Sequence, residues 1–296
     1  MVPRDVQTEP PKNHFKLTRV GVTGVKKPII IKREEREIYL SATLDVFVDL
    51  PADQKGSHMS RNVEVINGII EEGVRGTAHS LEEMSEKIAK LLLEKHEYAT
   101  FSEVRIRADY FLERYVSDPA RKGMEHYLLI AEARADKVRN TFRKLVGVEV
   151  VGMTACPCAM ETVRQMLAEQ YPKYADCIEN LPVITHNQRN RSTLLIEVPE
   201  GYDIEANDLI ELVEASLSSP TFEILKRVDE GKVVVEAHQN PKFVEDVVRD
   251  ILHKVLENYS HLPDDVIITA RSESEESIHK HNAFAERVTT MRELKE

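Results

Sequence analysis

The segment REIYLSATLDVFVDL, residues 36–50, alternates apolar and polar side chains along its whole length. A period of two marks a strand with one buried face and one wet face. Pro51, which has no N–H to donate to a ladder, ends it. Beyond the loop A-D-Q-K-G-S-H, residues 59–74 and 80–95 carry apolar residues at helical spacing. Ser80 followed by Glu83 is a capping-box start for the second of these helices. Residues 101–112 alternate again, and residues 127–135 read as their hairpin partner. Upstream, residues 1–15 hold three prolines and little periodicity, which predicts an extended arm.

The same order recurs in the second half. Residues 147–154 read as a strand, a helix follows Pro157, and residues 192–198 read as another strand. Helices at 206–217 and 241–258 and a strand at 266–272 complete the series. The prediction is an α+β protein of two similar units in tandem, 16–145 and 146–296, the second carrying most of the chemistry. A length of 296 residues agrees with two domains.

Forty Lys and Arg against 51 Asp and Glu give a net charge of 40 − 51 = −11. That balance argues against nucleic-acid and anionic-membrane partners, which need a basic footprint. A small anionic substrate needs only local cations and remains open. No apolar run approaches the length of a membrane span, and the first residues lack the layout of a signal peptide, so a cytoplasmic protein is expected. Three cysteines, Cys156, Cys158 and Cys177, do not form a disulfide framework.

The sharpest chemical signal is T-A-C-P-C, residues 154–158, between an apolar strand and a helical run. Pro157 suits the first helical position and places Cys156 at the N-cap, where the helix end favours a thiolate. A thiolate ligates metal or attacks carbon; the plainer reading is a pair of small buried residues at a turn. His186 lies in the polar run T-H-N-Q-R-N-R. In S-E-E-S-I-H-K-H-N-A-F-A, residues 274–285, a helix would align Glu276 with His279, whereas a strand would align His279 with His281. A solvated charged segment is the alternative. Glu230 in K-R-V-D-E-G-K reads as a charged loop, and Glu245 in N-P-K-F-V-E-D as a first-turn acid favoured by the helix dipole. His58 and Arg61, in K-G-S-H-M-S-R, stand where a helix N-terminus receives phosphates.

Together T-A-C-P-C, H-N-Q-R, K-R-V-D-E, N-P-K-F-V-E-D, E-S-I-H-K-H and K-G-S-H-M-S-R resemble the prokaryotic GTP cyclohydrolases of the type IB and archaeal type IV (MptA-type) group. The resemblance covers nearly the whole chain. Asn190-Arg191-Ser192 after H-N-Q-R, where the bacterial branch tends to have Ser directly, favours the archaeal side.

The resemblance implies two tandem tunnelling-fold units (β-β-α-α-β-β) assembled into an oligomeric barrel. It also implies a homo-oligomer, dimer or tetramer, with active sites between subunits. Cys156, His186 and Glu230 match the family's metal positions, Glu276 and His279 its acid and histidine, and Glu245 the carboxylate that anchors guanine. The implied cofactor is one divalent metal per site, Fe(II) above Mn or Zn, and the implied substrate is GTP. The expected product is a 7,8-dihydroneopterin phosphate, the 2′,3′-cyclic phosphate if the enzyme is type IV, with release of formate. His279 and His186, with His281 beside them, are the expected proton-transfer groups, and His58, Arg61, Arg189 and Arg191 the candidates for the phosphates. A tunnelling-fold nitrile reductase using Cys156 as nucleophile is the nearest rival, disfavoured by Cys158, His186 and the paired C-terminal histidines. A non-catalytic metal-binding homologue is the other alternative; such a protein should have lost a ligand, and every matched position here is filled.

Overall fold

The computed structural model describes residues 5–33, 36–74, 80–115 and 122–296. The chain forms two compact units. The first holds the chain up to Tyr110 together with Leu128–Val146 and Glu197–Tyr202; the second holds Phe111–Tyr127, Gly147–Ile196 and Asp203–Glu296. The expected cut between residues 145 and 146 falls inside a strand.

β1 (Leu17–Arg33), β2 (Arg36–Leu50), β3 (Phe101–Tyr115) and β4 (Lys122–Asp136) stand in that order in the sheet, the first unit taking β1, β2, β3 up to Tyr110 and β4 from Leu128, with α1 (Met59–Val74) and α2 (Leu81–Lys95) between β2 and β3 in the chain. The alternation of residues 36–50 translates directly into burial. Leu40, Ala42, Leu44, Val46, Val48 and Leu50 are all buried, and each large apolar side chain so removed from water contributes roughly 1.5–3 kcal/mol. Val65, Ile66, Ile69 and Ile70 of α1 and Met84, Ile88, Ala89 and Leu92 of α2 join that core. The Ser80 hydroxyl accepts from the Glu83 N–H at 3.2 Å, the expected cap of α2.

Strand β1 was not expected. It pairs with β2 antiparallel from Leu17↔Leu50 to Arg33↔Arg36, with irregularities between Leu17 and Val20 and between Val22 and Val25. Gly21, Gly24 and Pro28 interrupt its period, and an edge strand tolerates all three. The described part of the predicted arm holds a short 3-10 turn at Val6–Thr8 and is tied to the loop before α1 by Lys55 N–H to Glu9 O (2.9 Å) and Gly56 N–H to Gln7 O (3.1 Å). The first four residues of that predicted arm lie outside the described residues.

Next come β5 (Thr141–Ala155), β6 (Asn187–Glu197), β8 (Ile267–Ser274) and β9 (Ala283–Thr290), with the two-residue β7 (Ser219–Pro220) against β5, the second unit taking β5 from Gly147 and β6 up to Ile196. Between β5 and β6 lie α3 (Pro157–Gln170) and α4 (Ala175–Glu179), and between β6 and β8 lie α5 (Ala206–Glu214), α6 (Arg227–Gln239) and α7 (Val244–Tyr259). A short α8 (Met291–Lys295) closes the chain. Leu209, Ile210 and Val213 of α5 and Val247, Ile251 and Val255 of α7 are buried, as are Leu194, Ile196 and Ile268 of the strands. With α3, α4, α6, the two-residue β7 and the terminal α8 read as additions, the order strand-strand-helix-helix-strand-strand occurs twice along the chain. The α+β class therefore holds.

One local expectation fails: residues 227–239 form α6 and not a charged loop. Residues 275–282 form neither the helix nor the strand considered for them but a largely exposed loop joining β8 to β9, in keeping with the reading of a solvated charged segment. No helix among the described residues is long and apolar enough to cross a membrane.

Candidate active site

Cys156 sits at the N-cap of α3 with Pro157 behind it, and its Sγ accepts from the Ala159 N–H at 3.4 Å. The end of β5 that delivers it is held on several sides. Ser218 N–H donates to Met153 O (3.1 Å), Lys242 N–H donates to Ala155 O (3.0 Å), and Ala155 N–H donates to the Ser218 hydroxyl (3.3 Å). Close approach of β7 requires Gly152, because a Cβ there would lie 2.3 Å from Leu217 Cδ1 and 3.1 Å from Ser219 O.

His186 reaches the same place from the chain before β6. Cys156 N–H donates to His186 O (3.0 Å), and the Thr185 hydroxyl donates to Cys156 O (2.8 Å). The His186 ring is largely buried, with Nδ1 2.9 Å from Gln188 Oε1 and 3.6 Å from Glu276 Oε2. The 275–282 loop brings in the remaining groups. His279 meets His186 edge to face with ring centroids 6.3 Å apart, and His281 stacks on His279 at 5.2 Å.

These side chains line one cavity of about 190 Å³, entirely within the second unit. Cys156, His186, Glu276, His279 and His281, named from sequence, all contribute to it. Gln188, Lys242, Phe243 and Ser274, which were not singled out, contribute too. Gln188 belongs to the quoted H-N-Q-R motif, but a neutral amide gives no signal of its own. Lys242 turns its ammonium to Ser216 O (2.9 Å) and Asp250 (2.6 Å), which makes it a structural tie at the cavity edge.

Other expected residues stand apart from this lining. Glu245 follows two lining residues, Phe243 and Val244, but its own side chain is exposed at the first turn of α7. Glu230 is exposed on α6, and Arg189 is exposed on β6. Arg191 is engaged by Glu275 (3.0 Å) and Glu149 (3.4 Å), and those carboxylates raise its pKa. His58 and Arg61 belong to the first unit. There His58 Nε2 contacts Asp5 (2.9 Å) while its buried Nδ1 has no partner among the described residues, and Arg61 donates to Lys95 O at the end of α2 (3.1 Å).

Thiol, imidazole and carboxylate facing one cavity form a donor set of the kind that suits Fe(II), Mn or Zn. The chemistry fits a divalent metal, although among the described residues no three His, Cys, Asp or Glu side chains already converge on one point.

Comparison with known proteins agrees with the motifs. The family model described as type I GTP cyclohydrolase folE2 matches residues 4–285. GTP cyclohydrolase MptA of Methanothermobacter thermautotrophicus is 46% identical over 300 residues, spanning 98% of this chain and 94% of that protein. The MptA proteins of Methanosphaera stadtmanae (44%, spanning 99% and 96%) and Methanococcoides burtonii (42%, spanning 99% and 96%) are similar over the same extent. Among solved structures, a hyper-thermostable uricase mutant superposes with a TM-score of 0.52 at 9% identity, over 92% of this chain and 91% of that one. At that identity the likeness concerns the fold alone, and it agrees with the tunnelling-fold expectation.

Proposed function

Because this chain belongs to the type I GTP cyclohydrolase folE2 family, in its archaeal MptA-type branch, we propose that it is a metal-dependent GTP cyclohydrolase of pterin biosynthesis. It opens GTP at C8, releases formate, and forms 7,8-dihydroneopterin 2′,3′-cyclic phosphate with pyrophosphate. The observation that carries the reading is the convergence of Cys156, His186, Glu276, His279 and His281 on one cavity.

Cys156 and His186 would hold the metal with Glu230 as third donor, and Fe(II) is favoured. Such an ion, when bound, supplies Lewis acidity that brings the pKa of water near neutrality. The residues then divide the remaining tasks. His279, on the loop facing His186, gives a proton to the departing ring nitrogen, and Glu276 and His281 move protons when the formyl group is hydrolysed. The Glu245 carboxylate accepts two hydrogen bonds from the N–H edge of guanine and rejects adenine, which lacks those donors. Arg189, His58 and Arg61 are the phosphate candidates.

A cavity of about 190 Å³ is small beside the roughly 300–1,000 Å³ of ordinary ligand sites. The exposed Glu245, Glu230 and Arg189 support a homo-oligomer in which a second copy of the chain completes the site.

Anaerobic incubation of purified protein with GTP and Fe(II), Mn(II) or Zn(II), followed by mass analysis, tests this reading. Formate and an oxidisable pterin should appear only with metal. Robust turnover in excess chelator, or NADPH-dependent reduction of a nitrile, would sink it.

A further inference from the structure

We propose that Gln188 is a positioning residue that holds the His186 imidazole in its Nδ1–H form, so that Nε2 carries the ring's lone pair. Two acceptors face His186 Nδ1, Gln188 Oε1 at 2.9 Å and Glu276 Oε2 at 3.6 Å. The amide cannot turn over without loss, because its NH₂ group faces Glu276 Oε1 (3.3 Å) and Thr154 Oγ1 (3.2 Å). An ionised carboxylate only accepts. A flipped amide would set carbonyl against carboxylate and NH₂ against the ring.

The orientation is propagated into the core. Gln188, Asn190 and Ser192 share one face of β6, and Asn190↔Ser274 and Ser192↔Ser272 are register partners on β8. Thr154 Oγ1, which accepts from Gln188, also shares a hydrogen bond with Ser274 Oγ (2.9 Å). Asn190 donates to Ser274 Oγ (2.9 Å) and Ser272 Oγ (2.8 Å), and its Oδ1 accepts from Ser192 Oγ (2.7 Å). All six of these residues are buried. In such a network each buried group constrains the orientation of its neighbours.

The consequence concerns His186 directly. Which ring nitrogen is free is set by the bond the other one makes. A fixed Nδ1–H leaves Nε2 as metal donor or proton acceptor, and the protein partner behind such a histidine sharpens its orientation and basicity. The task given to Nε2 rests on the proposed cyclohydrolase reading; the tautomer itself does not.

Long-range proton–nitrogen NMR on the histidine-labelled full chain, without GTP or metal at about pH 8, above the ordinary imidazole pKa of about 6.5, reads the tautomer. The His186 signals are identified by their loss in His186→Gln. In the wild type Nδ1 should be the protonated nitrogen, opposite to the preference of free histidine in water. In Gln188→Met combined with Glu276→Ala, which removes both acceptors facing Nδ1, the proton should move mainly to Nε2, while Glu276→Ala alone, which keeps the Gln188 carbonyl, should retain Nδ1–H. With GTP and metal, kcat of Gln188→Met should fall about 10–100-fold with KM within about twofold. If methionine prevents folding, Gln188→Asn draws the carbonyl one methylene back from the ring and gives the same test. Protonated Nε2 in the wild type, or Nδ1–H persisting in the double variant, overturns the assignment. Absence of cyclohydrolase activity in a wild type that shows the Nδ1–H form would remove the proposed function and leave the positioning role standing.

Discussion

The backbone N–H of Cys156 donates to the carbonyl of His186 at 3.0 Å. The Thr185 hydroxyl returns a bond to the Cys156 carbonyl at 2.8 Å. A thiol and an imidazole separated in the chain by all of α3 and α4 are thus tied together through the main chain that carries them. Catalytic groups mounted this way hold their geometry far better than groups on free loops.

That rigidity depends on the seat of β5. Gly152→Ala drives a Cβ into Leu217 and toward Ser219 O, an overpacking that costs roughly 1–3 kcal/mol. Thermal unfolding should show the loss. Activity at a temperature where the variant is fully folded should also fall several-fold, because Met153 and Ala155 carry the bonds that place Cys156. A variant as stable and as active as wild type would mean that β7 can withdraw freely.

Glu245→Gln separates stability from recognition. The side chain is exposed, so the fold loses at most the helix-dipole contribution of about 0.3–1 kcal/mol. Toward guanine the change replaces a charge-assisted acceptor by a group with a donor facing donors, a mismatch of roughly 2–4 kcal/mol. The expected outcome is a fall in kcat/KM of about 30- to 1,000-fold with little shift in Tm. Unchanged kcat/KM would return Glu245 to the role of a first-turn helix acid.

In the first unit His96 is fully buried between Asn62 Oδ1 (2.6 Å) and the Tyr98 hydroxyl (2.9 Å). Burial, reinforced by the positive charges of Arg61 and His58, lowers its pKa to about 4. The unfolded chain protonates this ring near 6.5, so between about 6.5 and 4 the unfolded state binds more protons than the folded one. Its contribution to stability is complete above 6.5 and is lost as pH falls through that window. Denaturant midpoints measured from pH 7 to pH 4 should decline, and His96→Gln should decline less steeply. Parallel slopes for the two proteins would show that His96 is not the group responsible.

Legibility in the sequence followed the physics of each segment. Residues 36–50 were readable because one face is buried and the other wet, so hydropathy carries the period. Strand β1 was not, since its glycines and Pro28 serve an edge and break the alternation. Helix α6 was missed because Val228, Val234 and Val235 are exposed and leave no apolar stripe, while Gly231 and the surrounding charges imitate a loop. The site was legible as residue types: the thiol, the histidines and Glu276 were all named before their meeting was visible. Gln188 was not, because its part depends on what lies beside it across two strands, which no spacing encodes.

The position of Glu276 bears on which carboxylate completes a metal site. It lies on the Nδ1 side of His186, 3.6 Å from that nitrogen, and accepts from Gln188. A carboxylate behind the ring orients the histidine, and does not share a ligand position with Nε2 on the ring's other side. Glu230 is exposed. Cys156→Ala, His186→Ala and Glu230→Ala should therefore each lose most of their metal after brief dialysis, because a site of three protein ligands falls to two. Glu276→Ala and His279→Ala should keep it while kcat drops by about 10²–10⁴ for a proton-transfer group. Metal content of the five purified variants reads the ordering directly. Retention in Glu230→Ala with loss in Glu276→Ala would exchange the two carboxylates. Full metal in Cys156→Ala, together with a substrate adduct on the wild-type thiol, would make Cys156 a nucleophile.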